Sequence, residues 1–167
     1  MSWKLAARTT SAEATRVLAA GLGALARRGD VVVLAGPLGA GKTTFAQGFA
    51  RGLGVEGPVT SPTFTLVRQY PCALGQLVHA DLYRLDSLAE VEDLGVTELV
   101  EDGVALVEWG DVAQPVLSPV TFVVRLVVLG EDEREVTVAS DDDDRRAEVA
   151  VALGDRSTEA RDDGRAG

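Results

Sequence analysis

The sequence predicts an α/β fold in three layers, with helices covering both faces of a mixed, largely parallel central sheet. Three observations predict it. The run Val31-Val32-Val33-Leu34-Ala35 is apolar at every position, the pattern of a strand buried on both faces. A glycine-rich turn follows it at once and opens a segment in which Phe45, Phe49 and Leu53 recur at helical spacing. Strand-like and helix-like segments then continue to interleave downstream, an order that belongs to the α/β class.

Taken in order, residues 10–28 read as an amphipathic helix, with Ala14, Val17, Leu18, Leu22 and Leu25 on one face and Thr10 with Glu13 as a capping box. The turn Gly29-Asp30 leads to the strand at 31–35, and the helix at about 42–53 ends where Gly52 and Gly54 loosen it. Residues 63–70 and 76–82 are strand-like, and the loop 71–75 between them makes them antiparallel neighbours. Two short helices at 87–94 and 97–101 flank Gly95, and 104–107 is another buried strand. Residues 120–129 and 135–138 form a closing hairpin across 130–134. Past Ser140 the composition changes: four aspartates occupy 141–144, and 158–167 offers a core almost nothing. The expected organisation is one domain over 1–140 and an acidic, disordered tail over 141–167, with a helical turn or two conceivable at 147–153.

Bulk properties narrow the function. A chain of 167 residues with 46% hydrophobic content suffices for one core. The net charge of −10 opposes polyanions, because binding along nucleic acid requires cations gathered on one face to displace counterions. Direct, tight nucleic-acid binding is therefore not expected. Cys72 is the only cysteine and can form no internal disulfide, and no apolar run has the length of a signal peptide or a membrane span. The expected location is the cytoplasm, without a membrane partner, and the isolated chain is expected to be monomeric. Of 16 basic residues only Lys4 and Lys42 are lysines. In a chain that otherwise uses Arg, Lys42 needs its own reason: a compact ammonium on a flexible stem reaches between phosphate oxygens where a planar guanidinium fits poorly.

Gly36-Pro37-Leu38-Gly39-Ala40-Gly41-Lys42-Thr43 matches G-x-x-x-x-G-K-[ST] in full and lies between a predicted strand and a predicted helix, the context this motif requires. The fold expected is thus P-loop NTPase-like. Glycines let the backbone curl with its N–H groups inward, and the helix N-terminus adds partial positive charge where phosphates rest. Gly39, Ala40, Gly41, Lys42, Thr43 and Thr44 are the candidate ATP-binding set; Lys42 faces the β- and γ-phosphates and the Thr43 hydroxyl is a magnesium ligand.

A P-loop needs an acidic partner at the end of a neighbouring strand. Glu108 follows the apolar run 104–107, and Asp81 stands near the end of another strand. Ser61, Pro62 and Thr63 form a hydroxyl-rich turn where a switch segment would lie, although ordinary turn chemistry explains it as well. His79, the only histidine, reads as a packed or hydrogen-bonded strand residue, and Trp109 as a covering aromatic.

In that order, Gly36 to Phe45, Ser61-Pro-Thr-Phe-Thr-Leu66, His79-Ala-Asp-Leu-Tyr-Arg-Leu85, the acidic stretch 90–95 and Val107-Glu-Trp109 resemble the bacterial TsaE (YjeE) ATPases over about residues 5–138. The resemblance implies a magnesium-dependent ATPase that serves a complex of TsaD and TsaB in forming threonylcarbamoyladenosine beside the tRNA anticodon, meeting tRNA only indirectly. It also implies that Lys42 and Thr43 hold phosphate and magnesium, that Glu108 is the metal-binding acid and that Asp81 is the essential acid of its motif. Ser61 to Thr63 match the family's switch-like segment. Thr10 and Glu133 are the nearest counterparts of nucleotide contacts at the first helix and the late hairpin. The 141–167 segment departs from the family pattern. A P-loop small-molecule kinase is the alternative, but no arginine-bearing lid is visible, and a GTPase would need an Asn-Lys-x-Asp motif in a chain without Asn.

Overall fold

The computed structural model describes residues 1–62, 66–83, 85–109, 114–117, 119–154 and 158–159. Eight strands form one sheet: β1 (Trp3–Thr9), β2 (Val31–Ala35), β3 (Val67–Cys72), β4 (Gly75–Asp81), β5 (Gly103–Glu108), β6 (Phe122–Val128), β7 (Arg134–Ser140) and the two-residue β8 (Thr158–Glu159). Their order is β3-β4-β5-β2-β6-β7-β1-β8. The centre, β4-β5-β2-β6, is parallel, and antiparallel pairs extend it on both sides. The helices are α1 (Ala12–Ala24), α2 (Lys42–Gly52), α3 (Leu88–Asp93), α4 (Val96–Leu99), α5 (Gln114–Leu117) and α6 (Arg146–Leu153). Among the described residues no helix is long and apolar enough to cross a membrane.

Side-chain alternation in the central strands explains why they carry no polar face. Val32 and Leu34, with Val104 and Leu106, pack under α1, α2 and α6, while Val31, Val33, Ala105 and Val107 pack under α3, α4 and α5. Both faces are covered, so every position must be apolar. These are the three layers and the mixed, centrally parallel sheet that the sequence predicts.

Helices α1 and α2 meet almost backbone to backbone. A Cβ on Gly48 would overlap the Arg16 carbonyl and lie 2.6 Å from its Cα, and one on Gly52 would strike the Ala20 carbonyl. Gly52 is thus an element of packing rather than a loosened helix end. Because backbone cannot move aside as a side chain can, Gly48→Val is expected to cost about 2 kcal/mol or more, or about 4–8 °C in thermal midpoint. A melt followed by circular dichroism checks this; an unchanged midpoint would show that the helices separate freely.

Three expectations need correction. β1 has no place in the sequence reading; its strand state comes from pairing with β7, from Trp3 opposite Ser140 to Thr9 opposite Arg134. The cap of α1 is Ser11, whose Oγ accepts from Ala14 N at 3.0 Å, not Thr10. Glu13 instead binds Arg51 at 3.1 Å and Arg16 at 3.4 Å, and these hydrogen bonds, Arg51 first, hold its carboxyl below the usual range. The third concerns the boundary at 140. Residues 141–153 are part of the domain: Arg145 is buried, and Val149 and Leu153 of α6 lie in the core beneath α1. The aspartate run is itself anchored, since Asp142 O accepts from Trp3 Nε1 at 2.8 Å and Asp143 accepts from Ser2 Oγ at 2.8 Å. Residues 155–157 and 160–167 lie outside the described residues.

Candidate functional site

The parallel strands bring the candidate residues to one edge. β2 ends at Ala35 and its chain turns directly into the P-loop; β5 ends at Glu108, in register with Leu34; β4 ends at Asp81, in register with Glu108. The carboxyl edge of a parallel sheet is where α/β proteins place ligands. The loop between β2 and α2 is left-handed at Gly39 (φ 79°) and Gly41 (φ 99°), conformations that side chains rarely adopt. Gly36 is restricted by space also, because a Cβ there would lie 2.8 Å from the Leu126 carbonyl of β6. Gly41 begins α2 with no side-chain cap, so the first-turn N–H groups, where Thr43 and Thr44 stand half-buried, keep the donors and the partial positive charge that bind anions.

Lys42 is buried. Its Nζ donates to the carbonyls of Gly36 at 2.7 Å and Pro37 at 3.0 Å and lies 3.7 Å from the centroid of the Trp109 ring. Trp109 therefore covers the lysine, as a covering aromatic should, and this contact joins the P-loop to the end of β5. Trp109 carries φ 60°, uncommon for a bulky residue, while its N–H is held by Leu34 O at 3.1 Å. Its ring also packs on Tyr83, with centroids 4.9 Å apart.

The two acids are in different environments. Glu108 is buried and its Oε2 lies 2.7 Å from His79 Nε2. Asp81 accepts from Tyr83 N at 3.0 Å, a local turn cap, and from Ser61 Oγ at 3.5 Å, which links the strand end to the switch-like turn. Pro62 is buried and its carbonyl accepts from Leu66 N at 2.7 Å. Thr63 and Arg84 lie outside the described residues.

A small, open cleft adjoins the P-loop, lined by Ser11, Ala12 and Thr15 of the first helix, Ala40, Gly41 and Thr44, and Glu131, Asp132 and Arg134 of the β6–β7 hairpin. The regions assigned through Thr10 and Glu133 do meet here. Thr10 itself is exposed one residue before the helix cap, and Glu133 contributes its carbonyl to the turn, accepting from Leu129 N at 3.0 Å; neither side chain lines the cleft.

A family model described as "Threonylcarbamoyl adenosine biosynthesis protein TsaE" matches residues 9–137, from the last residue of β1 into β7. The chain belongs to the TsaE family. A Bacillus subtilis (strain 168) relative named tRNA threonylcarbamoyladenosine biosynthesis protein TsaE is 44% identical over 131 residues, 78% of this chain and 82% of its own. A Streptomyces coelicolor relative of the same name is 51% identical over 100 residues, 58% of this chain and 67% of its own. The crystal structure of Bacillus subtilis YdiB is similar at TM-score 0.70 and 35% identity, covering 90% of this chain and 93% of that one.

Within this TsaE chain, two residues are missed by sequence reasoning. Arg134 donates through Nε to the Ala40 carbonyl at 3.0 Å and through Nη1 to the carbonyls of Gly130 at 2.9 Å, Glu131 at 3.1 Å and Glu133 at 2.9 Å, tying the hairpin to the P-loop. The one available signal was its charge, a lone cation between Glu133 and Glu135. Ser11 is the other, because the Thr10–Glu13 pair one residue away fits the capping-box pattern better.

Proposed function

We propose that this chain is a magnesium-dependent ATPase that supports the TsaD–TsaB complex in forming threonylcarbamoyladenosine next to the anticodon of tRNA. The observation that carries the reading is the meeting of Lys42, Trp109 and the uncapped start of α2 at the strand edge that also delivers Glu108 and Asp81. In this reading the N–H groups of 39–44 cradle the phosphates, and Lys42 leaves the Gly36 and Pro37 carbonyls to offset phosphate charge. The residues fit magnesium, since the Thr43 hydroxyl and the Glu108 carboxylate are hard oxygen donors and the metal takes its remaining ligands from phosphate and water. When bound, the ion would neutralise charge developing on the β- and γ-oxygens. Asp81, next to Ser61, would position the water or the switch-like turn. Ser11, Thr15 and Arg134 form the wall against which the remainder of the nucleotide would lie.

The described site carries no arginine aimed at the transferred phosphoryl group, so the isolated chain is expected to be a slow ATPase. Adding TsaD and TsaB is expected to raise turnover per chain at least about tenfold, roughly 1.4 kcal/mol of barrier, by covering the nucleotide and ordering the switch-like turn. The test measures phosphate release alone and with partners, then counts modified tRNA per complex with wild-type and Glu108→Gln protein. Fast hydrolysis by the chain alone, or full multiple-turnover modification with the Gln variant, would refute the partner-driven reading.

A further inference from the structure

Glu108 does not stand alone at the end of β5. In the parallel register His79 pairs with Leu106 and Asp81 with Glu108, so the side chains of 79 and 108 share a sheet face and meet diagonally across two strands. Both are buried, and Nε2 lies 2.7 Å from Oε2. When Glu108 is ionised its oxygen can only accept, so in that state Nε2 carries the ring proton and donates. The other ring nitrogen, Nδ1, is buried without a hydrogen-bond partner among the described residues. An orphaned buried nitrogen carries a desolvation cost that an apolar residue of similar size would avoid. Packing alone is therefore a poor reason for histidine here, and the bond made by Nε2 is the compensating gain.

We propose that His79 is a positioning residue for the metal-binding acid: by holding Glu108 Oε2 it fixes the plane of the carboxylate, so that the second oxygen meets a nucleotide-bound divalent cation without first losing side-chain freedom. The inference rests on the reading of Glu108 as a metal ligand. It follows the general behaviour of ligating carboxylates, which are themselves hydrogen-bonded and lose metal affinity when that partner is removed.

Three variants separate positioning from packing. His79→Leu keeps bulk and removes the donor, His79→Gln places an amide N–H where Nε2 was, and His79→Asn has a donor too short to reach Oε2. The readout is Mn²⁺ affinity of the full chain with a non-hydrolysable ATP analogue, measured by electron paramagnetic resonance, with a thermal melt of each variant. His79→Leu and His79→Asn are expected to weaken Mn²⁺ binding at least about tenfold, whereas His79→Gln stays within about threefold of wild type. Adding His79→Leu to Glu108→Gln is expected to change metal affinity no further, because the histidine acts through that carboxylate. If His79→Leu fails to fold, the contrast between Asn and Gln decides. Wild-type affinity in His79→Asn, a Gln variant no better than Asn, or a further loss in the double variant would overturn the inference alone. A wild-type chain that holds no Mn²⁺ with the nucleotide analogue would overturn the ATPase reading and this inference with it.

Discussion

Removal of residues 141–167 is expected to abolish the cooperative thermal transition at the wild-type midpoint. Arg145 is buried, donates to both oxygens of Asp30 at 3.2 and 3.0 Å and to Leu25 O at 2.9 Å, and stacks over Phe122 at 4.9 Å. Without it Asp30 is left a buried, unpaired charge, a loss of about 3–5 kcal/mol. Val149 and Leu153 also leave the core under α1, where large-to-small changes cost about 1–5 kcal/mol each. The sum reaches the whole stability of an ordinary domain, about 5–15 kcal/mol. A single substitution isolates the larger part: Arg145→Met is expected to lower the midpoint by about 6–20 °C, taking about 3–5 kcal/mol at about 2–4 °C each. Adding Asp30→Leu should recover part of it, because replacing both partners of a buried pair by apolar groups is nearly neutral, whereas Arg27 N, which donates to Asp30 at 2.8 Å, then loses its acceptor. A truncated chain that melts where the full chain does would show that α6 contributes no stability.

The opposite expectation for that segment shows which parts of the fold are legible in sequence. Four successive aspartates dominate the local composition, whereas the residue that ties the following helix to the domain, Arg145, is informative only beside Asp30, 115 positions earlier. β1 is hidden for the same reason: Ala6 and Ala7 blur its alternation, and its state is decided by β7 at the other end of the domain. The P-loop was legible because a strand, a left-handed turn and a helix start are local features that their own residues specify. Glu108 and Asp81 were legible as strand ends. Their partners were not: the His79–Glu108 contact needs the β4–β5 register, and Arg134 reaches Ala40 across 94 positions. Positions set by one segment are legible in the sequence, and contacts assembled between distant segments are not.

Lys42 is where the sharpest loss of activity is expected. If the chain is the proposed ATPase, Lys42→Ala removes the ammonium assigned to the phosphates and Lys42→Arg keeps the charge in the wrong shape, so each is expected to reduce ATP turnover at least about a hundredfold. Nζ is closely surrounded, 2.7 and 3.0 Å from the Gly36 and Pro37 carbonyls and 3.7 Å from the centroid of the Trp109 ring. A guanidinium is broader and fixed in a plane, so it either displaces Trp109, the neighbour of Glu108, or stays outside the curl of the loop. The fold should survive both changes, since the lost contacts are with loop carbonyls and one aromatic face, about 1–3 kcal/mol. The measurement is phosphate release together with a melt and nucleotide titration of each variant. Folded Lys42→Arg protein hydrolysing ATP at the wild-type rate would mean that charge alone suffices here, and that the near-exclusive use of arginine elsewhere in this chain says nothing about why position 42 is a lysine.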